Sequence, residues 1–149
     1  MIALIQRVSE ARVEVDAEIV GQIGAGLLAL VAIERGDGEA QVRRMLERIL
    51  GYRVFGDSEG RMNRSLRDVG GGLLLVSQFT LAADTSSGMR AGFSGAASPE
   101  LGEHLFNRLV ELARIAHQPV ETGRFRTHMK VQLVNDGPVT FHLRVAPEI

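Results

Sequence analysis

The stretch from His128 to Val145 constrains this chain more than any other. Met129, Val131 and Leu133 alternate with Lys130 and Gln132, and Val139, Phe141 and Leu143 alternate with Thr140 and His142. A period of two over that length belongs to half-buried β-strands. Between the two runs lies Asp136-Gly137-Pro138, which is turn chemistry, so the stretch reads as a closing hairpin. Proline removes a ladder donor and fixes φ where a strand would begin, and the glycine before it can take backbone conformations closed to other residues. By itself the Gly137-Pro138 step reads as a plain turn; the sharper alternative is a rigid backbone wedge used for recognition.

The rest of the chain alternates short apolar runs with turn signals. Ile2–Val8 reads as a first strand, Ala11–Val15 as a second and Glu18–Ile23 as a third, with Asp16-Ala17 turning between the last two. Gly21-Gln-Ile-Gly24-Ala-Gly26 has neither dinucleotide nor P-loop spacing and precedes a strand, so it reads as a turn. Leu27–Ile33 is apolar enough for a buried central strand. Asp37 is the expected cap of a helix whose apolar positions are Val42, Met45, Leu46, Ile49 and Leu50. Val54-Phe55 is a short strand, and Arg61–Arg67 is a loop or an edge strand. Leu73–Val76 is a second central strand that delivers Ser77-Gln78-Phe79-Thr80 at its end. Residues 83–97 form a long Gly/Ser/Ala-rich loop. Ser98-Pro99-Glu100 starts a helix with Leu101, Leu105, Leu109, Leu112 and Ala116 on its apolar face. Val120–Phe125 is a further short strand. The order ββββ-α-ββ-α-ββ argues for one α+β domain over residues 1–149, a largely antiparallel sheet with helices packed on one side.

Composition narrows the function by exclusion. With no cysteine, thiol nucleophiles, Cys-ligated zinc and disulfides are ruled out. The N-terminal residues lack a signal-peptide pattern and no apolar stretch reaches membrane-spanning length, so the chain reads as cytoplasmic. Seventeen Lys+Arg against 18 Asp+Glu leave a net charge of -1, so any nucleic-acid site must be a local patch. The bases are nearly all arginine, which suits phosphate contacts. His104, His117, His128 and His142 are scattered and suggest no metal site. Neither Ser77 nor Ser94 fits a nucleophile elbow. Ser77, Gln78 and Thr80 crowd polar groups at the end of an apolar strand, where they either bond neighbouring backbone or face a pocket. Phe79 between them is core by default, with a nucleobase platform as the alternative.

Ser77-Gln-Phe-Thr-Leu81 together with Val134-Asn-Asp-Gly-Pro-Val-Thr140 resembles the D-aminoacyl-tRNA deacylase family. The resemblance extends to Ile5-Gln-Arg-Val-Ser9, Arg53-Val-Phe55, Met62-Asn-Arg-Ser-Leu66, Asp84-Thr85, Phe93-Ser94 and Thr122-Gly-Arg-Phe125, in order along nearly the whole chain. It departs from the usual pattern at Ala82, Ser86-Ser87 and Ala91. The resemblance implies a barrel-like mixed sheet and a homodimeric editing hydrolase that cleaves the ester of a D-amino acid, or of glycine, on tRNA. It implies that Ser77, Gln78, Phe79 and Thr80 line the catalytic pocket, with no metal and no cofactor. It further implies that a cis Gly137-Pro138 bond, supported by Arg7, enters the partner subunit's pocket and excludes L side chains. Catalysis would be assisted by the terminal ribose 2′-hydroxyl, with Thr80 positioning substrate. Aminoacyl-tRNA is the implied partner, with neither membrane nor DNA. Two other readings remain: a relative with relaxed chirality that clears a small L-amino acid from the wrong tRNA, and a non-catalytic RNA-binding module on the same scaffold.

Overall fold

The computed structural model describes residues 1–148. Its elements are β1 (Ile2–Val15), β2 (Glu18–Ile23), β3 (Gly26–Ala32), α1 (Glu39–Gly51), β4 (Phe55–Gly56), β5 (Met62–Arg64), α2 (Leu66–Val69), β6 (Gly72–Ser77), a 3-10 turn (Phe79–Ala82), α3 (Pro99–Ala116), β7 (Val120–Thr122) and β8 (Lys130–Arg144). The main sheet runs β2-β1-β3-β6-β7, with β8 also on β1, and β4-β5 forms a separate ribbon. β1 is antiparallel to β2, β3 and β8, whereas β3-β6 and β6-β7 are parallel.

β1 is one strand where a break at Ser9-Glu10 was expected. Ser9 is accommodated as a bulge, marked by the register shift between Val8 and Glu10 against β8. The extra residue changes the phase of the alternation. Ile5 faces the core under the helices, while Val8, Ala11, Val13 and Val15 all face the other core. One edge of β1 is therefore covered by β8, and the other by β3 along its first half and β2 along its second.

The closing stretch is likewise not a hairpin. Both of its halves pair with β1, Thr140–Arg144 opposite Ile2–Gln6 and Lys130–Asn135 opposite Val8–Glu14. A hairpin would need the halves to pair with each other. Instead Asp136–Val139 bulges out opposite the single residue Arg7. This excursion also reverses the alternation: Val131 and Leu133 pack on one core, Val139 and Phe141 on the other.

The two cores lie on opposite faces of the sheet. Leu27, Ala29, Val31, Leu73 and Leu75 pack against Val42, Met45 and Ile49 of α1 and Leu105, Leu109 and Ala113 of α3. The alternate residues Leu28, Leu74 and Val76 join Val13, Val15 and Ile23 inside the curl of the sheet. The curl is tight where backbones meet. A Cβ on Gly26 would overlap the carbonyl oxygen of Gly72, and one on Gly21 would overlap that of Thr122, at the seam between β2 and β7. The result is the nearly closed mixed sheet with helices on one side.

Several local expectations are corrected. Asp37 does not cap α1; Gly38 does, its N–H bonding Gln41 Oε1 at 2.8 Å. Asp37 is buried, accepting from the Met1 ammonium and from the Glu34 N–H, at 2.9 and 2.8 Å. The segment after β5 is helical because Ser65 and Asp68 cap each other reciprocally, at 3.1 and 2.9 Å. Ala116 is exposed, and the buried face of α3 uses Phe106 and Val110 instead. Ser98 caps α3 with Pro99 at its first position, as its sequence indicates. No helix among the described residues is long and apolar enough to cross a membrane.

Candidate active site

The apolar strand β6 must stop where its side chains meet solvent, and Gln78 is where it stops. Its N–H still donates to the Val31 carbonyl at 2.7 Å, but its backbone (φ -143°, ψ 80°) leaves the strand and starts the 3-10 turn. Phe79 and Thr80 open that turn, so their N–H groups have no acceptor within it. The Gln78 side-chain amide donates to Thr80 Oγ1, so these two side chains bond each other rather than neighbouring backbone. Ser77 and Gln78 are half-buried, and Thr80 is exposed.

Phe79 is not core. It is 61% exposed and leans on Phe93 from the long loop, with ring centroids 5.2 Å apart. That loop is tied at its base by mutual hydrogen bonds between Asp84 and Gly92, of 2.7 and 3.0 Å. The Asp84 carboxyl lies below its ordinary value because the Ser86 side chain and N–H stabilise its charge.

Ser77, Gln78 and Phe79 line a cavity of about 380 Å³. Its second wall is the start of α3 at Ser98, Pro99 and Gly102, and its third is the segment from Phe125 to Met129. Thr80 is not among the lining residues. Sequence reasoning gave this third wall no site role, although Phe125 ends the family-like Thr122–Phe125 run and His128 opens the closing stretch. A separate, smaller groove of about 240 Å³ lies between Glu10, Arg12 and Gln132; of the two family-like motifs it touches only Val134.

Arg7, Gly137 and Pro138 line neither hollow. They form a second constellation on the β1-β8 pair. The Gly137-Pro138 bond is cis, as is Gln118-Pro119. Gly137 has φ +146°, and a Cβ there would come within 2.9 Å of the Val139 nitrogen, so only glycine fits. Arg7 donates from Nε to the Asp136 carbonyl and from Nη1 to the Val54 carbonyl, each at 2.8 Å. Asn135, to which the sequence reading assigned no role, clamps the base of the excursion. Its Nδ2 donates to Thr140 Oγ1 and its Oδ1 accepts from the Val139 N–H, both at 2.7 Å. Turn chemistry beside Asp-Gly was the signal that concealed it. Gly137 and Pro138 are both exposed at the tip of this braced excursion.

One chain therefore carries a cavity with an open mouth and, apart from it, a rigid exposed backbone projection. No group of three or more His, Asp or Glu among the described residues could hold a metal ion.

The sequence pattern of the family described as D-Tyr-tRNA(Tyr) deacylase matches residues 4–144. A D-aminoacyl-tRNA deacylase of Stenotrophomonas maltophilia is 71% identical over 145 residues, covering 97% of this chain and 99% of that protein. One of Alkalilimnicola ehrlichii is 67% identical over 147 residues, covering 99% and 98%. The solved structure of a c-Myc DNA unwinding element binding protein superposes with a TM-score of 0.94 at 35% identity, covering 98% of this chain and 99% of that one. A probable eukaryotic D-amino acid tRNA deacylase shares the fold, with a TM-score of 0.80 at 15% identity over 95% of this chain and 98% of its own. With a family pattern spanning both constellations and relatives matched end to end, the chain belongs to the D-Tyr-tRNA(Tyr) deacylase family.

Proposed function

We propose that this protein hydrolyses the ester linking a D-amino acid, or mischarged glycine, to the 3′ end of tRNA, and that it does so as a homodimer. In this reading Gly137 and Pro138 of one protomer enter the cavity of the other. The observation that carries it is the separation within one chain of a Ser77-Gln78-Phe79 cavity from an exposed projection held by Arg7 and Asn135. A second copy supplies the wall that the cavity lacks.

The physical argument concerns chirality. A surplus methyl in a pliable apolar pocket changes affinity by only about 1–3 kcal/mol. A backbone projection has no rotamer with which to yield, so an L side chain directed at it is refused by overlap, whereas hydrogen in a D-amino acid or in glycine is accepted. Main-chain carbonyls of the projection would orient the substrate's amino group.

For the chemistry, the N–H groups of Phe79 and Thr80, which have no acceptor within the 3-10 turn, suit an oxyanion. No base adjoins the Thr80 hydroxyl, which already accepts from Gln78 and lies off the cavity lining, so Thr80 positions substrate through Gln78 and forms no acyl-enzyme. Water is activated with help from the terminal ribose 2′-hydroxyl.

Incubating catalytic amounts of protein with D-tyrosyl-, L-tyrosyl-, glycyl- and L-alanyl-tRNA tests the reading. Rapid loss of the D-tyrosyl and glycyl esters with both L esters spared is the expected result. Loss of L-alanyl ester would indicate relaxed chirality, and binding without turnover a non-catalytic module. Duplex DNA is the control ligand, given the name of the 35%-identical solved relative.

A further inference from the structure

The cavity's own charges point to a site for a specific part of the substrate. The chain holds 18 Asp+Glu, yet none of them lines this cavity. Its ionisable lining groups are Arg126 and His128, both on the segment between β7 and β8. A hollow whose own lining carries no acid and two cation-forming side chains favours an anion, the Glu100 carboxylate beside Arg126 lying outside that lining.

Arg126 is also held in a conformation that arginine rarely adopts. Its φ is +60°, in the left-handed region. The turn that contains it is closed by Thr127 Oγ1 donating to the Arg124 carbonyl at 2.9 Å. Non-glycine residues in this region cost free energy and concentrate at functional sites. The guanidinium has one weak carboxylate contact, Nη2 to Glu100 Oε1 at 3.4 Å, between side chains 56% and 81% exposed. Such a pair contributes little and exchanges easily for a better acceptor. A phosphodiester is that acceptor, since its two free oxygens match the guanidinium fork. On the same cavity Phe79, leaning on Phe93, offers an exposed aromatic surface for a base.

We infer that Arg126, flanked by His128, receives the phosphodiester immediately 5′ of the terminal adenosine of the RNA, exchanging Glu100 for it on binding. Arg126 is then a positioning residue that fixes how deeply the aminoacylated end enters. The inference rests on the deacylase reading for its substrate class, but its test is separable from it.

The test compares equilibrium binding of adenosine and of the dinucleotide cytidylyl-(3′→5′)-adenosine, which adds that phosphodiester. Wild type is expected to bind the dinucleotide about tenfold more tightly than adenosine, the usual worth of a charged hydrogen bond. Arg126→Asn, chosen because asparagine tolerates left-handed backbone, reduces that advantage to about twofold or less while leaving adenosine binding and the melting temperature unchanged. Glu100→Gln, which releases the guanidinium, strengthens dinucleotide binding by about two- to threefold and adenosine binding not at all. With D-tyrosyl-tRNA the Arg126→Asn loss appears in KM rather than kcat, and the salt dependence of log K flattens by about 0.7. An equal phosphate advantage in wild type and Arg126→Asn, or none in wild type, overturns the inference, and turnover of D-tyrosyl-tRNA would then leave the deacylase reading standing. A phosphate advantage that requires Arg126, in a protein that turns over no aminoacyl-tRNA, upholds the inference and removes the deacylase reading.

Discussion

Arg7 donates from Nε to the carbonyl of Asp136 and from Nη1 to the carbonyl of Val54, each at 2.8 Å, so one half-buried side chain ties the excursion of β8 to the segment leading into β4. A hydrogen bond from a charged group contributes about 1.5–3 kcal/mol, and here the solvent-exposed one to Asp136 adds little to the part-buried one to Val54. Arg7→Ala is expected to lower stability by about 2 kcal/mol, measured by urea denaturation. It should lower D-over-L selectivity more than Arg7→Lys, which keeps a charge but cannot span both carbonyls. Equal selectivity in wild type and Arg7→Ala would show that the projection does not need its brace.

Asn135 makes the second brace, and its two hydrogen bonds cannot be copied by an apolar side chain. Asn135→Leu leaves the half-buried Val139 N–H without its acceptor, at a cost of about 1–3 kcal/mol. Asn135→Asp keeps that acceptor and loses the donor to Thr140 Oγ1, so it should fall between wild type and Asn135→Leu in a thermal melt. A ranking with Asp below Leu would contradict the assignment.

The close approach of β3 and β6 depends on Gly26. Its Cβ would overlap the Gly72 carbonyl, a backbone atom that cannot rotate away, and Gly72 in turn has Ile23 within 2.9 Å of its own Cβ position. Gly26→Ala should destabilise by about 3 kcal/mol or more, in the upper range for overpacking. Gly24→Ala, where a Cβ would meet nothing within 4 Å, serves as its control and should be near neutral.

Glu34 gives the fold an acid dependence. Burial acts to raise its carboxyl, but hydrogen bonds from Arg144 and the Met1 ammonium, with their charges, outweigh it, and the group lies below its ordinary value of 4.5. A carboxylate depressed in the folded state contributes stability that is complete above the unfolded value and lost as pH falls through the folded one. Denaturation midpoints should therefore drop more between pH 6 and about pH 3 in wild type than in Glu34→Gln. Parallel drops would remove Glu34 from the account.

The parts of this structure that the sequence made legible are those set by short-range pattern. The apolar runs of β3 and β6, the spacing of α1 and the Ser98-Pro99 start of α3 are read directly from neighbouring residues. What escaped depends on partners far along the chain. Asp136-Gly137 has turn chemistry, but the strand that takes up both of its flanks is β1, more than a hundred residues earlier. Asp37 resembles a cap and is captured instead by Met1. The motif residues themselves were visible, yet nothing local indicated that Phe79 is exposed, that Thr80 stands off the cavity, or that Arg126 takes left-handed backbone on its rim.

A site built from two subunits reveals itself when defective subunits are mixed. Gln78→Ala removes a cavity residue and leaves the projection, while Gly137→Val disrupts the projection and leaves the cavity. Each variant alone is expected to be nearly inactive on D-tyrosyl-tRNA. After the two are unfolded together and refolded at equal ratio, half the dimers are mixed and each mixed dimer holds one intact site, so activity should return to about a quarter of wild type. Activity that stays at the level of the separate variants, with mixed dimers shown to be present, would contradict a site shared between subunits.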